Sequence, residues 1–257
     1  MRLPLGWHTD LSVHRLSGAT IDEHDDHLVV RTPASPSYHW GNFVLVTDPH
    51  AVGEAGRWVT VFEDAFPEAG HRAIGMVAEP ADPTAWSTAG LELEHEDVLL
   101  TETGPQRRDL AGGYRVAEVR SDDAWRQLVA EDDDAAPAVL EHARQRVRSQ
   151  RGLVEDARAA FFGAFVGDRL VSSLGIVDCG DGIFRYQDVR TDEAHRRRGL
   201  ATHLIGVAAG WAAARGARQW VILADAESDA SRLYRSVGFQ PLLRSCQAYR
   251  APEPVDD

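Results

Sequence analysis

The chain has 257 residues, 44% hydrophobic and 26% charged, long enough for one large domain or two small ones with real cores. Lys and Arg number 27 against 40 Asp and Glu, and a formal net charge of -13 argues against nucleic acid as a partner while leaving room for a cationic amine. No apolar run approaches the ~20 residues that span a bilayer, the first residues lack the apolar stretch of a signal peptide, and two cysteines, Cys179 and Cys246, imply no disulfide scaffold, so a cytoplasmic protein with no membrane partner is expected.

In the N-terminal region, strands are expected at His27 to Arg31, Asn42 to Thr47, Arg72 to Ala78 and Leu91 to Thr101. A helix is expected over Gly56 to Phe66 and a short one before the last strand. The stretch Thr103-Gly104-Pro105 through Gly112-Gly113 is polar and rich in glycine, and reads as a boundary. This gives residues 1–103 as one domain, 104–113 as a linker and 114–257 as a second domain.

The second region alternates strands and helices. Tyr114 to Val119 reads as a strand, and Asp122 to Ala130 and Ala138 to Gln150 as helices. Ala159 to Val166 and Leu170 to Val177 form a hairpin about Gly167-Asp168, and Ile183 to Thr191 follows as a third strand. Leu200, Leu204, Val207, Ala208 and Trp211 recur at helical spacing, with Trp211 read as core. Gln219 to Ala224 is a buried-type strand, Ser228 to Ser236 a helix stopped by Gly238, and Phe239 to Tyr249 one or two strands. The class is mixed α/β.

The chemistry concentrates where the third strand ends. Arg196-Arg197-Arg198-Gly199-Leu200-Ala201 follows Thr191 and opens the apolar helix. Unpaired amides at a helix start, a glycine without a Cβ and adjacent arginines make a pyrophosphate cradle. A basic surface turn before an ordinary helix is the plainer reading of these residues alone. Downstream, Leu233-Tyr234-Arg-Ser-Val-Gly238-Phe239 supplies a second signature in the same order.

With both motifs in place, residues 114–249 resemble the GNAT superfamily of N-acetyltransferases. The resemblance implies a mixed, twisted sheet of the GNAT acyl-CoA N-acyltransferase type and acetyl-CoA as co-substrate, with no metal. It implies that the backbone of Val189, Arg190 and Thr191 runs along the pantetheine arm. Arg196, Arg197, Arg198, Gly199, Leu200, Ala201 and Thr202 would form the pyrophosphate loop, with Arg196 closing it structurally. Tyr234 would protonate the departing thiolate, and the amide of Val189 would stabilise the oxyanion. The sequence departs from the family at Glu227, where asparagine is common, and at Arg197, where many members carry glycine. Asp188 is the candidate base. By strict alternation Arg185, Gln187 and Val189 share one strand face and Asp188 lies on the other, unless a bulge intervenes.

The N-terminal half offers a faint echo: Trp86-Ser-Thr-Ala-Gly90-Leu91 has the spacing of Tyr234 to Phe239, but no arginine-glycine loop precedes it. It reads as a smaller, degenerate GNAT-like α/β domain that completes an internal pseudo-dimer, the whole being a monomer or a homodimer. His24 and His27 beside carboxylates are better explained by a polar loop than by a metal, and Glu131 to Asp134 by a solvated loop. Tyr38-His39-Trp40-Gly41-Asn42 reads either as a pocket lining or as the packed start of a strand. The expected activity is direct transfer of an acetyl group to a primary amine, on a small molecule or a peptide. A non-catalytic acetyl-CoA sensor or an adaptor is the alternative.

Overall fold

The computed structural model describes residues 3–110, 112–129 and 137–252; the acidic run Glu131 to Asp134 lies outside them. The chain divides into two compact units, Met1–Glu96 with Arg244–Asp257, and Asp97–Leu243.

The first unit holds α1 (Leu5–Leu16), β1 (Thr20–Glu23), β2 (His27–Arg31), a 3-10 turn at His39–Gly41, β3 (Phe43–Val46), α2 (Ala55–Ala65), β4 (Arg72–Met76), α3 (Thr84–Thr88) and the start of β5 (Glu92–Thr101). β1, β2 and β3 are antiparallel neighbours, and β3 runs parallel to β4. The far end of the last strand, β11 (Gln240–Arg250), pairs antiparallel with β4, Cys246 opposite Met76 and Arg250 opposite Arg72. Neither α1 nor β1 is expected from the sequence. α1 buries Trp7, Leu11 and His14, a helical i, i+4, i+7 stripe whose third member is polar. β1 is a mostly exposed strand ending in Asp22 and Glu23.

The second unit holds β6 (Arg115–Glu118), α4 (Asp122–Val129), α5 (Pro137–Glu155), β7 (Ala159–Val166), β8 (Arg169–Asp178), β9 (Ile183–Thr191), a 3-10 turn at Glu193–His195, α6 (Leu200–Ala213), β10 (Gln219–Asp225) and α7 (Asp229–Ser236). Its strand order is β5-β10-β9-β8-β7-β6. The hairpin β7–β8 turns on Gly167-Asp168, with Gly167 at φ +58°. Phe239 to Tyr249 contributes one strand, not two. Residues of the expected linker pack on α6 and the end of α7: Gln106 N–H donates to the carbonyl of Val237, which follows α7, at 2.9 Å, and a Cβ on Gly206 of α6 would sit 2.5 Å from the Cα of Arg107. Leu204, Ala208 and Ala212 are fully buried on α6. Trp211 is a correction, because it is only partly buried. Its ring meets Phe184 edge-on at 6.1 Å while the Arg215 guanidinium covers its other side at 3.9 Å.

The two halves of the sequence repeat one plan: two antiparallel strands, a third strand, a helix, a strand parallel to the third, a short helix and a last strand. In the first half this runs β1 to β5, in the second β7 to β11. The short helices end alike. Leu91 N–H donates to the Trp86 carbonyl at 3.0 Å after Gly90 at φ +77°, and Phe239 N–H to the Tyr234 carbonyl at 3.3 Å after Gly238 at φ +111°. Among the described residues no helix is long and apolar enough to cross a membrane.

The register of β8 against β9 shifts between Ser173 and Gly175. A Cβ on Gly175 would lie 2.5 Å from the ring of Phe161, itself buried and packed on Trp125. Gly175→Ala is therefore expected to destabilise the chain by about 1–3 kcal/mol, the range of overpacking in a filled core; a urea midpoint equal to wild type would contradict the packing described.

Candidate active site

The site is built around β9. Its parallel pairing with β10 covers only Ile183, Phe184 and Arg185, opposite Gln219, Trp220 and Val221. Beyond Arg185 the two strands part, although β9 continues to Thr191 and β10 to Asp225. On the other side Ser173 opposes Arg190 and Gly175 opposes Gln187, so Asp188 and Val189 together face the single residue Leu174. This is a β-bulge, and within it Asp188 adopts a left-handed φ of +48°.

The bulge corrects the facing read from alternation. Phe184, Tyr186 and then Val189 pack on the core that includes Leu200 and Leu204. Asp188 turns to α5, where its carboxylate accepts a hydrogen bond from Gln150 and faces Arg146 at 3.6 Å. Arg190 donates to Ser173 Oγ at 2.9 Å and to the Gln127 carbonyl at 3.2 Å, so its side chain is held on the α4 side. Asp188 and Arg190 line one small cleft with Leu128, Arg146, Gln150 and Ser173. Tyr234 does not line it.

After Thr191 the chain makes its 3-10 turn and reaches Gly199, the N-cap of α6, at φ +80°. No side chain caps α6, so its first-turn amides remain open donors with the positive end of the helix behind them. Arg196 Nε donates to the Thr191 carbonyl at 3.3 Å, the loop-closing position expected for it. Arg198 donates to the Ala194 carbonyl at 3.2 Å and to the Tyr114 hydroxyl at 3.3 Å, and that hydroxyl shares a hydrogen bond with His195 Nδ1 at 3.1 Å. Arg197 is exposed and has no hydrogen bond or ion pair among the described residues. Its φ of +61° is one that glycine adopts freely, which accounts for the glycine common at this place. Thr202 Oγ1 donates to the Gly199 carbonyl at 2.8 Å; Leu200 is buried and Ala201 half-buried. Glu227 sits at φ +64° just before α7, a conformation asparagine tolerates better than glutamate.

Tyr234 lies on α7, 5% exposed, with Phe239 across from it at 6.4 Å. Its hydroxyl has no partner among the described residues. Burial, reinforced by Asp225, pushes the phenol up to about 12. α7 is fixed at both ends of its first turn and beyond: Ser228 Oγ accepts from Ser231 N–H at 3.2 Å, and buried Asp97 accepts from Ser231 Oγ at 2.8 Å and Arg235 at 3.0 Å. Asp97 went unread in the sequence. Its signal was one carboxylate heading the apolar run Val98-Leu99-Leu100 on β5.

The same place in the first unit is filled. Between β3 and α2 the carbonyls of Ala51 and Val52 accept from the indoles of Trp58 at 2.7 Å and Trp86 at 3.1 Å. Both rings are fully buried. At the start of α2, Glu54 and Asp26 share Arg57, and Asp26 also bonds His27, which foremost holds its carboxyl below the usual range. His24 and His27 stack ring on ring at 4.2 Å. The segment from Tyr38 to Asn42 packs within the unit: His39 bonds the Tyr249 hydroxyl at 2.7 Å and stacks on His71 at 4.2 Å, while Asn42 donates to the carbonyls of Ser35 and Tyr38.

A strand that parts from its neighbour, followed at once by a glycine-opened helix, meets a family pattern. The model of the acetyltransferase (GNAT) family matches residues 123–239. This segment is similar to the GNAT acetyltransferases, and the likeness of fold reaches beyond it. A GCN5-related N-acetyltransferase from Kribbella flavida aligns at TM-score 0.65 and 14% identity, covering 96% of each chain. One from Sphaerobacter thermophilus gives 0.61 at 16% identity, covering 100% of this chain and 96% of that one. A tandem GNAT protein from the clavulanic acid biosynthesis pathway gives 0.57 at 13%, covering 95% and 89%. At such identities the likeness is one of fold. A search of curated proteins finds no match to the sequence.

The state of Tyr234 has a measurable consequence. An unfolded tyrosine ionises near ~10, so between pH 10 and 12 the folded chain holds this proton more tightly than the unfolded one. Below that window Tyr234 leaves stability independent of pH, and within it stability falls as pH rises. Urea unfolding of wild type and Tyr234→Phe from pH 9 upward is expected to show the steeper alkaline loss in wild type; parallel curves would contradict the shifted phenol.

Proposed function

We propose that the second unit transfers the acetyl group of acetyl-CoA to a primary amine by direct attack. The observation that carries this reading is the parting of β9 from β10 beyond Arg185, immediately before the open amides of α6. An unpaired strand edge suits the amides of a pantetheine arm, and a helix start without a Cβ at Gly199 suits a pyrophosphate. Acetyl-CoA supplies the activated acyl group and the thiolate that leaves. Val189, Arg190 and Thr191 contribute backbone along the strand edge, and the Val189 amide is the donor assigned to the oxyanion. Arg197 to Thr202 hold the phosphates. Arg197 adds the one loop guanidinium not already engaged, while Arg196 and Arg198 keep the loop in shape. Asp188 is the candidate base for the attacking ammonium, set in a cleft with Arg146 and Gln150.

Tyr234 is the proposed general acid. A phenol protonated throughout the neutral range can give its proton to the leaving sulfur, and a hydroxyl with no protein partner is free to do so. That retained hydroxyl favours turnover over the sensor reading. The first unit, with Trp58 and Trp86 in the corresponding place and Glu54 at the helix start, is proposed to bind no acetyl-CoA.

Gly199→Glu places bulk and negative charge where phosphate must sit. Calorimetry with coenzyme A is expected to give one site per chain for wild type and none for this variant. Unchanged affinity in a folded variant would remove the site from α6, and two sites per chain would refute the reading of the first unit.

Release of coenzyme A over a panel of amines tests the chemistry. Tyr234→Phe keeps the ring and removes the hydroxyl, so kcat should fall by about 10²–10⁴-fold while coenzyme A affinity is nearly unchanged. A variant with wild-type kcat, chemistry being rate-limiting, would assign the proton to another donor.

A further inference from the structure

Outside the acyltransferase site, the first unit gathers three side chains of metal-binding type. Glu79, His95 and Cys246 place a carboxylate oxygen, an imidazole nitrogen and a thiol sulfur all within 4.8 Å of one another. They come from places far apart in sequence but adjacent in the sheet, where β11 lies between β4 and β5. Cys246 sits on β11 opposite Met76, Glu79 follows β4 by three residues, and His95 is on β5. His95 Nε2 lies 2.8 Å from Glu79 Oε1. Cys246 is 2% exposed, His95 half-buried and Glu79 exposed, so the cluster opens to solvent from a buried sulfur.

We propose that Glu79, His95 and Cys246 bind a thiophilic divalent cation, zinc foremost, as three ligands of a tetrahedral site whose fourth position faces solvent. The ligand set carries the choice. One thiolate, one imidazole and one carboxylate suit zinc or cobalt and disfavour magnesium or calcium, which take oxygen. Bonds of ~2.0–2.3 Å at tetrahedral angles put ligand atoms roughly 3.3–3.8 Å apart, so the cluster needs only side-chain adjustment to close on an ion. The reading competes with a nucleophilic cysteine, and geometry decides between them: Cys246 is 2% exposed, out of reach of a substrate in solvent, while a histidine and a carboxylate converge on its sulfur. Binding forms a metal–sulfur bond and breaks the S–H bond, and one proton passes to solvent. The ion would tie the final strand to β5 and to the segment after β4, beside its ladder to β4. The site is independent of the acyltransferase reading, since no residue is shared.

The test uses the untagged full chain and cobalt(II) as the probe. Wild type is expected to take up one equivalent, with a thiolate-to-cobalt charge-transfer band and the visible spectrum of tetrahedral cobalt, and zinc should displace it. Cys246→Ser should lose the charge-transfer band, and Cys179→Ser should keep it. His95→Ala and Glu79→Gln change exposed or half-buried positions and should fold; each is expected to weaken cobalt binding by at least ~10-fold, no less than the loss of a group that merely orients a ligand. No charge-transfer band in wild type at saturating cobalt would overturn the proposal, as would a band lost in Cys179→Ser or an affinity unchanged in both His95→Ala and Glu79→Gln.

Discussion

A parallel strand pair that stops after three residues sets the terms for the rest of the second unit. Backbone donors and acceptors that leave a sheet must find partners elsewhere, and β9 leaves twice, on the β10 side beyond Arg185 and on the β8 side at the bulge. The bulge shifts the alternation of the strand by one. It turns Val189 into the core beside Tyr186 and sends Asp188 and Arg190 toward α4 and α5. Without that extra residue the carboxylate and the strand edge would exchange faces. The packing of Phe161 against Gly175, on the strand opposite, leaves no room for a side chain at the point where the register resumes.

The two units show what one plan becomes when the space it encloses is filled or left open. Each has a strand, a loop and a helix, then a short helix ending in the same turn. In the first, two tryptophans fold into the space and donate to the loop carbonyls. Burying such rings stabilises by several kcal/mol on area alone, and their indoles are satisfied as well. In the second, the position equivalent to Trp86 is Tyr234, smaller and with its hydroxyl unpartnered. One half fills this volume with a fully buried indole, while the other keeps a phenol whose proton is held more tightly than a free tyrosine's.

Much of this was legible from local signals. Regular hydrophobic spacing gave the strands and helices of the second unit, because its sheet is buried on long runs such as Ala159 to Val166. The arginine-glycine loop was legible because charge and glycine at the end of a strand have few structural uses. α1 was not, since its third contact residue is His14. The facing of Asp188 was not either, because alternation assumes one residue per step and a bulge inserts one without a sequence mark. Asp97 escaped because a single carboxylate before an apolar run looks like a strand end. Its partners, Ser231 and Arg235, are 134 and 138 residues away.

Asp97 also bears on how the chain can be divided. Reading Gly104 and Pro105 as a boundary assigns all of β5 to the first domain, whereas contacts within the chain assign Asp97 onward to the second unit and Arg244 onward to the first. Each unit is thus completed by a strand that follows the other half's short helix. The consequence is physical. A cut at residue 103 would strip the second unit of the strand beside β10 and of the buried carboxylate that receives Ser231 and Arg235 on either side of Tyr234. It would leave Arg235 without its ion pair, and α7 held by its own cap, by packing and by the bonds of Gln106 and Arg108 to the carbonyls at its C-terminal end. The tyrosine's placement therefore rests on a residue from the far end of the first half. Of the first half's strands, the end of β5 from Asp97 onward is therefore a structural part of the unit that carries Tyr234.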